Sequence, residues 1–214
     1  MKIIKPYTEI YGDINGQAIL KKIEWVGRTC YKSEDSITED SAEKFVAGLI
    51  KRGHEAMLEH DSITVKFVVD RGVSHEIVRH RLASFAQEST RYCNYAKDKF
   101  GNEITFIEPC FWDKNSENYA LWVKSMECAE MVYFSFLSAT PEKARSVLPN
   151  SLKTELVMTA NLREWRHFFK LRAANTTGKA HPQMLEVTRP LLDKFKQLIP
   201  VVFDDITYDV DGTE

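Results

Sequence analysis

Arg79-His80-Arg81-Leu82-Ala83-Ser84-Phe85-Ala86-Gln87-Glu88-Ser89-Thr90-Arg91-Tyr92 is the most informative stretch of this chain. It carries three arginines, a histidine, two serines and an amide, with few large apolar side chains and no glycine or proline. A segment that mattered only for packing would show a clearer apolar period. Arginine presents a rigid fork of donors that matches phosphate oxygens, and serine hydroxyls add shorter contacts. One reading is therefore an anion site for a phosphorylated small molecule. The other is a solvated, salt-bridged helix-to-loop segment, because charge runs are usually surface.

The rest of the chain narrows the class. It has 214 residues, 43% hydrophobic and 28% charged, the profile of a soluble globular protein. That length suits a single domain over 1–214, able to bury about 70% of its unfolded surface. Net charge is −2, from 29 basic and 31 acidic side chains, which argues against a bulk nucleic-acid binder. No apolar run suggests a signal peptide or a membrane span. Cys30, Cys93, Cys110 and Cys128 form no C-x-x-C pair, so the expectation is reduced thiols in the cytoplasm.

Periodicity places the elements. Residues 2–10 are β-prone and 16–26 helical. Ala42, Phe45, Val46, Leu49 and Ile50 mark a helix over 39–52, with Ser36 and Glu39 as a capping box and Gly53 as its stop. Ile63, Val65, Phe67 and Val69 alternate with polar residues, predicting a half-buried strand. Arg71-Gly72 reads as a turn, with Ser74 capping a short helix toward Arg79–Leu82. Helices are expected over 116–139, from Pro141 to Leu148, over 161–173, and over 183–198 with Pro190 as a kink. Helices outweigh strands, and the strand pattern alternates. Together these favour an α+β fold, a mostly antiparallel sheet packed with helices.

Two further clusters carry polar chemistry. His54, Glu55, Glu59 and His60 invite a metal, but the histidines are six apart, about 240° around a helix, so no metal site is expected. Arg163 and His167 share a helix face as i and i+4, and Asn161 sits where amide donors favour an anion. Arg172 lies at the other end, where a cation favoured by the helix dipole is the structural alternative. No nucleophile elbow, dinucleotide fingerprint or Walker loop is present.

Arg79-His80-Arg81, seven residues and then Ser89 resemble the signature of the flavin-dependent thymidylate synthases, and Arg91-Tyr92 continues the match. Companions occur in that family's order: Arg28-Thr29-Cys30-Tyr31, His54 with Glu59-His60, Arg145 before Leu148-Pro149, Asn161-x-Arg163, Leu171-Arg172 and His181-x-Gln183. The resemblance spans roughly residues 25–190. It implies a homotetramer with active sites at subunit interfaces. It also implies conversion of dUMP to dTMP with methylenetetrahydrofolate as carbon donor and NADPH-reduced FAD, without a cysteine nucleophile.

By position it implies flavin contacts for Arg79, His80, Arg81, Glu59, Asn161, Arg163, His167 and His181. It implies nucleotide contacts for Gln87, Glu88, Ser89, Arg91, Arg145 and Arg172, with Arg91 and Arg145 on the phosphate. Arg172, Ser89 and His54 take the catalytic roles, Arg172 by stabilising charge on the uracil. Departures from the pattern are Ala86-Gln87 for the family's Asn-Glu, His167 for a frequent Asn, and extra residues at Thr176–Lys179. The alternatives are a catalytically inactive flavin- or nucleotide-binding homologue, and a single-strand binder stacking bases on Phe85, Tyr92 and Tyr95.

Overall fold

A computed structural model describes residues 1–136 and 140–209. The architecture is α+β, helices with a mostly antiparallel sheet. In chain order the elements are β1 (Lys2–Ile4), β2 (Tyr7–Ile10), α1 (Gly16–Thr29), α2 (Ser41–Lys51), β3 (Ser62–Asp70), α3 (Arg71–Ile77) and β4 (Ala83–Gln87). There follow β5 (Thr105–Ile107), α4 (Glu117–Ser135), α5 (Pro141–Ala144), β6 (Lys153–Asn161), α6 (Leu162–Arg172) and α7 (Pro182–Leu198). Four strands form a sheet in the order β2-β3-β6-β4, and β1 pairs in parallel with β5, Lys2 opposite Thr105.

The chain divides into two compact units. The first comprises Met1–Glu9, Lys66–Arg79 and Phe85–Val157; the second comprises Ile10–Val65, His80–Ser84 and Met158–Glu214. In the first, Tyr95, Ile104, Phe106, Trp122, Met126, Tyr133, Ala144 and Leu152 form a buried cluster. Apolar burial of this kind contributes about 25 cal/mol per Å² and is the main stabilising term.

In the second unit, α6 supplies the centre of the core. Trp165 and Phe169 stack at 5.6 Å, and Phe195 and Phe203 pack edge-on around Phe169. The Trp165 indole N–H donates to the Ile63 carbonyl, so the buried ring leaves no orphaned donor. Arg166 is 1% exposed, yet its guanidinium meets Glu55 and both carboxylate oxygens of Asp205, and donates to the Val202 carbonyl. Glu24 is equally buried and is satisfied by Arg28 and by the Ser41 hydroxyl.

Several sequence expectations shift in position. The helix expected from residue 39 begins at Ser41; Ser36 and Glu39 form no capping box, because Ser36 closes a preceding 3₁₀ turn. Gly53 does stop it, at φ +71°. Arg71-Gly72 is not a turn but the start of α3, whose cap is the Asp70 carboxylate accepting from the Val73 N–H; Ser74 lies inside the helix. The helix begun at Pro141 tightens into a 3₁₀ turn at Arg145–Val147. Of the helix expected over 116–139, α4 ends at Ser135, and 137–139 lie outside the described residues. The helix-to-loop reading of 79–92 gives way to a strand at 83–87, and β6 was not anticipated. On β6, Thr154, Leu156, Met158 and Ala160 are buried; Val157 on the opposite face blurs the alternation.

Gly16 opens α1 although glycine is a poor helix former. A Cβ there would lie 2.0 Å from the Leu198 carbonyl oxygen at the end of α7. That atom is backbone and cannot rotate away. Gly16→Ala is therefore expected to destabilise by about 1–3 kcal/mol or more, a fall of roughly 2–12 °C in melting temperature. A thermal melt unchanged from the parent would show that α1 and α7 do not meet this closely.

Candidate active site

The residues expected around a cofactor and those expected around a nucleotide fall largely in different units. His54, Glu59, His80, Arg81, Asn161, Arg163, His167, Arg172 and His181 belong to the second; Arg79, Gln87, Glu88, Ser89, Arg91 and Arg145 belong to the first.

In the second unit, the phase of α6 sets the arrangement. Asn161 ends β6 and caps α6, its side-chain oxygen accepting from the Glu164 N–H. Arg163 and His167 then point outward, while Leu162, Trp165, Phe168 and Phe169 point inward. Arg163 pairs with Glu59 at 2.6 Å. His54 is exposed at the start of the 3₁₀ turn Glu55–His60, so this histidine segment is not an α-helix at all. His181 caps α7, its Nδ1 accepting from the Gln183 N–H.

His80 is the buried member, 5% exposed among four side chains of α6. Arg172 Nε donates to His80 Nε2 at 3.2 Å, and Glu164 Oε1 lies 3.3 Å from His80 Nδ1. Its ring packs edge-on against Phe168 at 4.9 Å and lies 5.7 Å from His167. Burial, and then the nearby Arg172 and His167, push the His80 pKa down to about 4. The imidazole is therefore neutral at pH 7. Burial also raises Glu164. Glu164 was missed in the sequence. Its one signal was a carboxylate set among the apolar residues of α6.

In the first unit, Ser89 shapes a turn: its hydroxyl accepts from the Arg91 N–H, and its carbonyl accepts from Tyr92 and Cys93. Arg91 is exposed, 3.5 Å from Glu142 and against the Tyr92 ring. Arg145 donates to the Thr90 hydroxyl at 3.3 Å, which draws both arginines toward the same 89–91 turn. Gln87 donates to the Ser74 and Thr154 hydroxyls. Glu88 accepts from Tyr95 and from Lys153, and Lys153 also holds Glu155. A cavity of about 410 Å³ is lined by Gln87, Glu88, Lys153, Glu155 and Lys66 among others.

The family profile described as thymidylate synthase complementing protein matches residues 17–201. The chain belongs to this family. A flavin-dependent thymidylate synthase of Pyrococcus furiosus is 33% identical over 184 residues, covering 82% of this chain and 73% of the relative. One from Corynebacterium efficiens is 29% identical over 231 residues, covering 98% and 89%. The UMP/dUMP methylase PolB of Streptomyces cacaoi, solved with 5-Br dUMP, superposes with a TM-score of 0.76 at 22% identity, over 95% of this chain and 96% of that one. That likeness establishes a shared fold.

Gln87 ends β4, and Glu88 follows it directly. Neighbouring residues at a strand end point to opposite sides. The contacts follow suit: Gln87 meets Thr154, while Glu88 meets Lys153.

The neutral state of His80 has a stability consequence. In the unfolded chain the ring takes a proton near pH 6.5, and in the folded chain only near 4. Between these values the unfolded state binds more protons, so stability falls as the pH falls, by about 3 kcal/mol over the window. Glu164, raised by burial, runs the opposite way. The His80 part is read as the difference between the parent and His80→Asn. Chemical denaturation from pH 7 to 4 should give a difference that shrinks on acidification; a constant difference would mean that His80 titrates alike in both states.

Proposed function

We propose that this protein is a flavin-dependent thymidylate synthase, converting dUMP to dTMP with methylenetetrahydrofolate as carbon donor. FAD supplies the redox chemistry and NADPH the reducing equivalents. We further propose that it acts in the cytoplasm as a homotetramer whose active sites need more than one subunit, with 1–214 as one functional domain. No helix among the described residues is long and apolar enough to cross a membrane.

The observation that carries this reading is the hydrogen bond from Arg172 to His80. It joins the last arginine of the family pattern to the histidine at the head of the signature, 92 residues earlier. The neutral ring accepts at Nε2 and sets the plane of the guanidinium. A guanidinium held in that way is suited to stabilising charge that develops on a uracil oxygen. The donor set also suits an anionic dinucleotide. Arg81, Arg163 and His167 are exposed, and Arg163 sits on the first turn of α6. In this reading Arg79, His80, Arg81, Glu59, Asn161, Arg163, His167 and His181 serve the flavin. Gln87, Glu88, Ser89, Arg91 and Arg145 serve the nucleotide, Ser89 through its turn, and His54 lies beside the flavin ring.

A second reading, an inactive homologue that binds flavin or nucleotide, is favoured by one feature. Gln87 carries no charge, and Glu88 is engaged by Tyr95 and Lys153. Turnover separates the two readings. Purified protein should be yellow, or gain a flavin band and a thermal shift with FAD, and should form dTMP; flavin binding without dTMP formation supports the inactive homologue, and a colourless, unresponsive protein defeats both.

Arg91→Ala should weaken dUMP far more than deoxyuridine, because the lost partner is the phosphate. A charge-assisted hydrogen bond is worth about 1.5–3 kcal/mol, roughly 10- to 150-fold in affinity. Calorimetric titration with both ligands checks this, and equal losses would take Arg91 off the phosphate.

A further inference from the structure

Glu164 belongs to none of the motifs that carry the family resemblance, yet it is 5% exposed and faces His80. We propose that Glu164 is a positioning residue, whose carboxylate fixes the His80 tautomer and, through it, the orientation of Arg172. This rests on the reading that Arg172 acts on the nucleotide.

The argument is one of proton counting. Arginine stays protonated, so its Nε–H donates and His80 Nε2 accepts. A neutral imidazole with an accepting Nε2 carries its proton on Nδ1. That atom is buried and makes no aligned hydrogen bond among the described residues. Glu164 Oε1, 3.3 Å away on a side chain 6% exposed, is the acceptor beside it. Without that acceptor only the Arg172 bond favours Nδ1–H, and it competes with the cost of leaving a buried N–H unsatisfied. The other tautomer carries N–H at Nε2, directed at the Arg172 donor, and drives the guanidinium off. Glu164 is itself held in place, since its N–H is bound by the Asn161 cap.

A metal is the rival explanation for this corner, because His80, Glu164 and His167 bring ligand atoms within 4.8 Å of one another. A cation on Nδ1 would force the proton onto Nε2, donor against donor with Arg172, and would set a second positive charge beside the guanidinium. The hydrogen bond from Arg172 therefore favours the tautomer relay.

The test uses flavin-loaded enzyme and two variants. Glu164→Leu removes the acceptor; Glu164→Gln keeps one. Stopped-flow spectroscopy follows flavin reduction by NADPH and its reoxidation with dUMP and methylenetetrahydrofolate. Glu164→Leu is expected to slow reoxidation roughly 5- to 150-fold while reduction changes less, and Glu164→Gln to recover most of the rate. Nitrogen-15 spectra of histidine-labelled protein, with His80 assigned by its loss in His80→Asn, should show Nδ1–H in the parent and a shift toward Nε2–H in Glu164→Leu. Nε2–H in the parent overturns the proposal, and that measurement needs no variant to fold beyond the one used for assignment. Slow reoxidation in Arg172→Ala beside parent-like reoxidation in Glu164→Leu overturns the positioning role alone. Parent-like reoxidation in Arg172→Ala instead removes the nucleotide role of Arg172, and the catalytic consequence of Glu164 with it.

Discussion

Asn161 performs two tasks on which the second unit depends. It ends β6 in extended conformation, and its side chain caps α6 by accepting from the Glu164 N–H. An N-cap is worth about 1 kcal/mol, but its larger effect here is to set the rotational phase of the helix. Once that phase is set, four apolar side chains enter the core, Arg166 turns toward Glu55 and Asp205, Glu164 turns toward His80, and Arg163 and His167 face solvent. A cap displaced by two residues would rotate the helix by about 200°, burying the arginine that pairs with Glu59 and exposing the tryptophan.

The same helix shows how charge is tolerated in the interior. Taking a charge out of water costs several kcal/mol unless it is paired and hydrogen-bonded. Arg166 meets this by a carboxylate on each side and a carbonyl, and its guanidinium is held above its ordinary pKa by Asp205 and Glu55 despite burial. Glu24 meets it with Arg28 and Ser41. His80 takes the other route: burial beside a guanidinium keeps it neutral. A neutral ring has one donor and one acceptor, which makes it a directional link between Arg172 and Glu164 where a charged ring would be a second repelling cation.

In the first unit, a polar network holds the end of β4 at Gln87 and Glu88. The Gln87 amide is tied to Ser74 and Thr154, and the Glu88 carboxylate is drawn into a network with Lys153, Glu155 and Tyr95. Burial and the Glu88 carboxylate raise the Tyr95 hydroxyl, so it stays a donor at any working pH.

The sequence by itself determined the family, because Arg79-His80-Arg81 with Ser89 and its ordered companions does not depend on how the chain bends. It also determined the helices with strong periodicity, such as those of Ala42–Ile50 and Leu162–Phe169, and the Gly53 stop. It did not show β4 or β6. β4 has too few large apolar side chains to announce a strand and is held by backbone bonds such as Glu88 N–H to the Glu155 carbonyl. β6 hides its alternation behind Val157. Nor did it show the Arg172–His80–Glu164 contact, since residues 80, 164 and 172 acquire a common neighbourhood only when the phase of α6 is set against the signature segment. Periodicity reports which face of an element is apolar; it carries no information about which polar residue on another element that face will meet. That choice belongs to the tertiary structure, and here it decides which tautomer His80 carries.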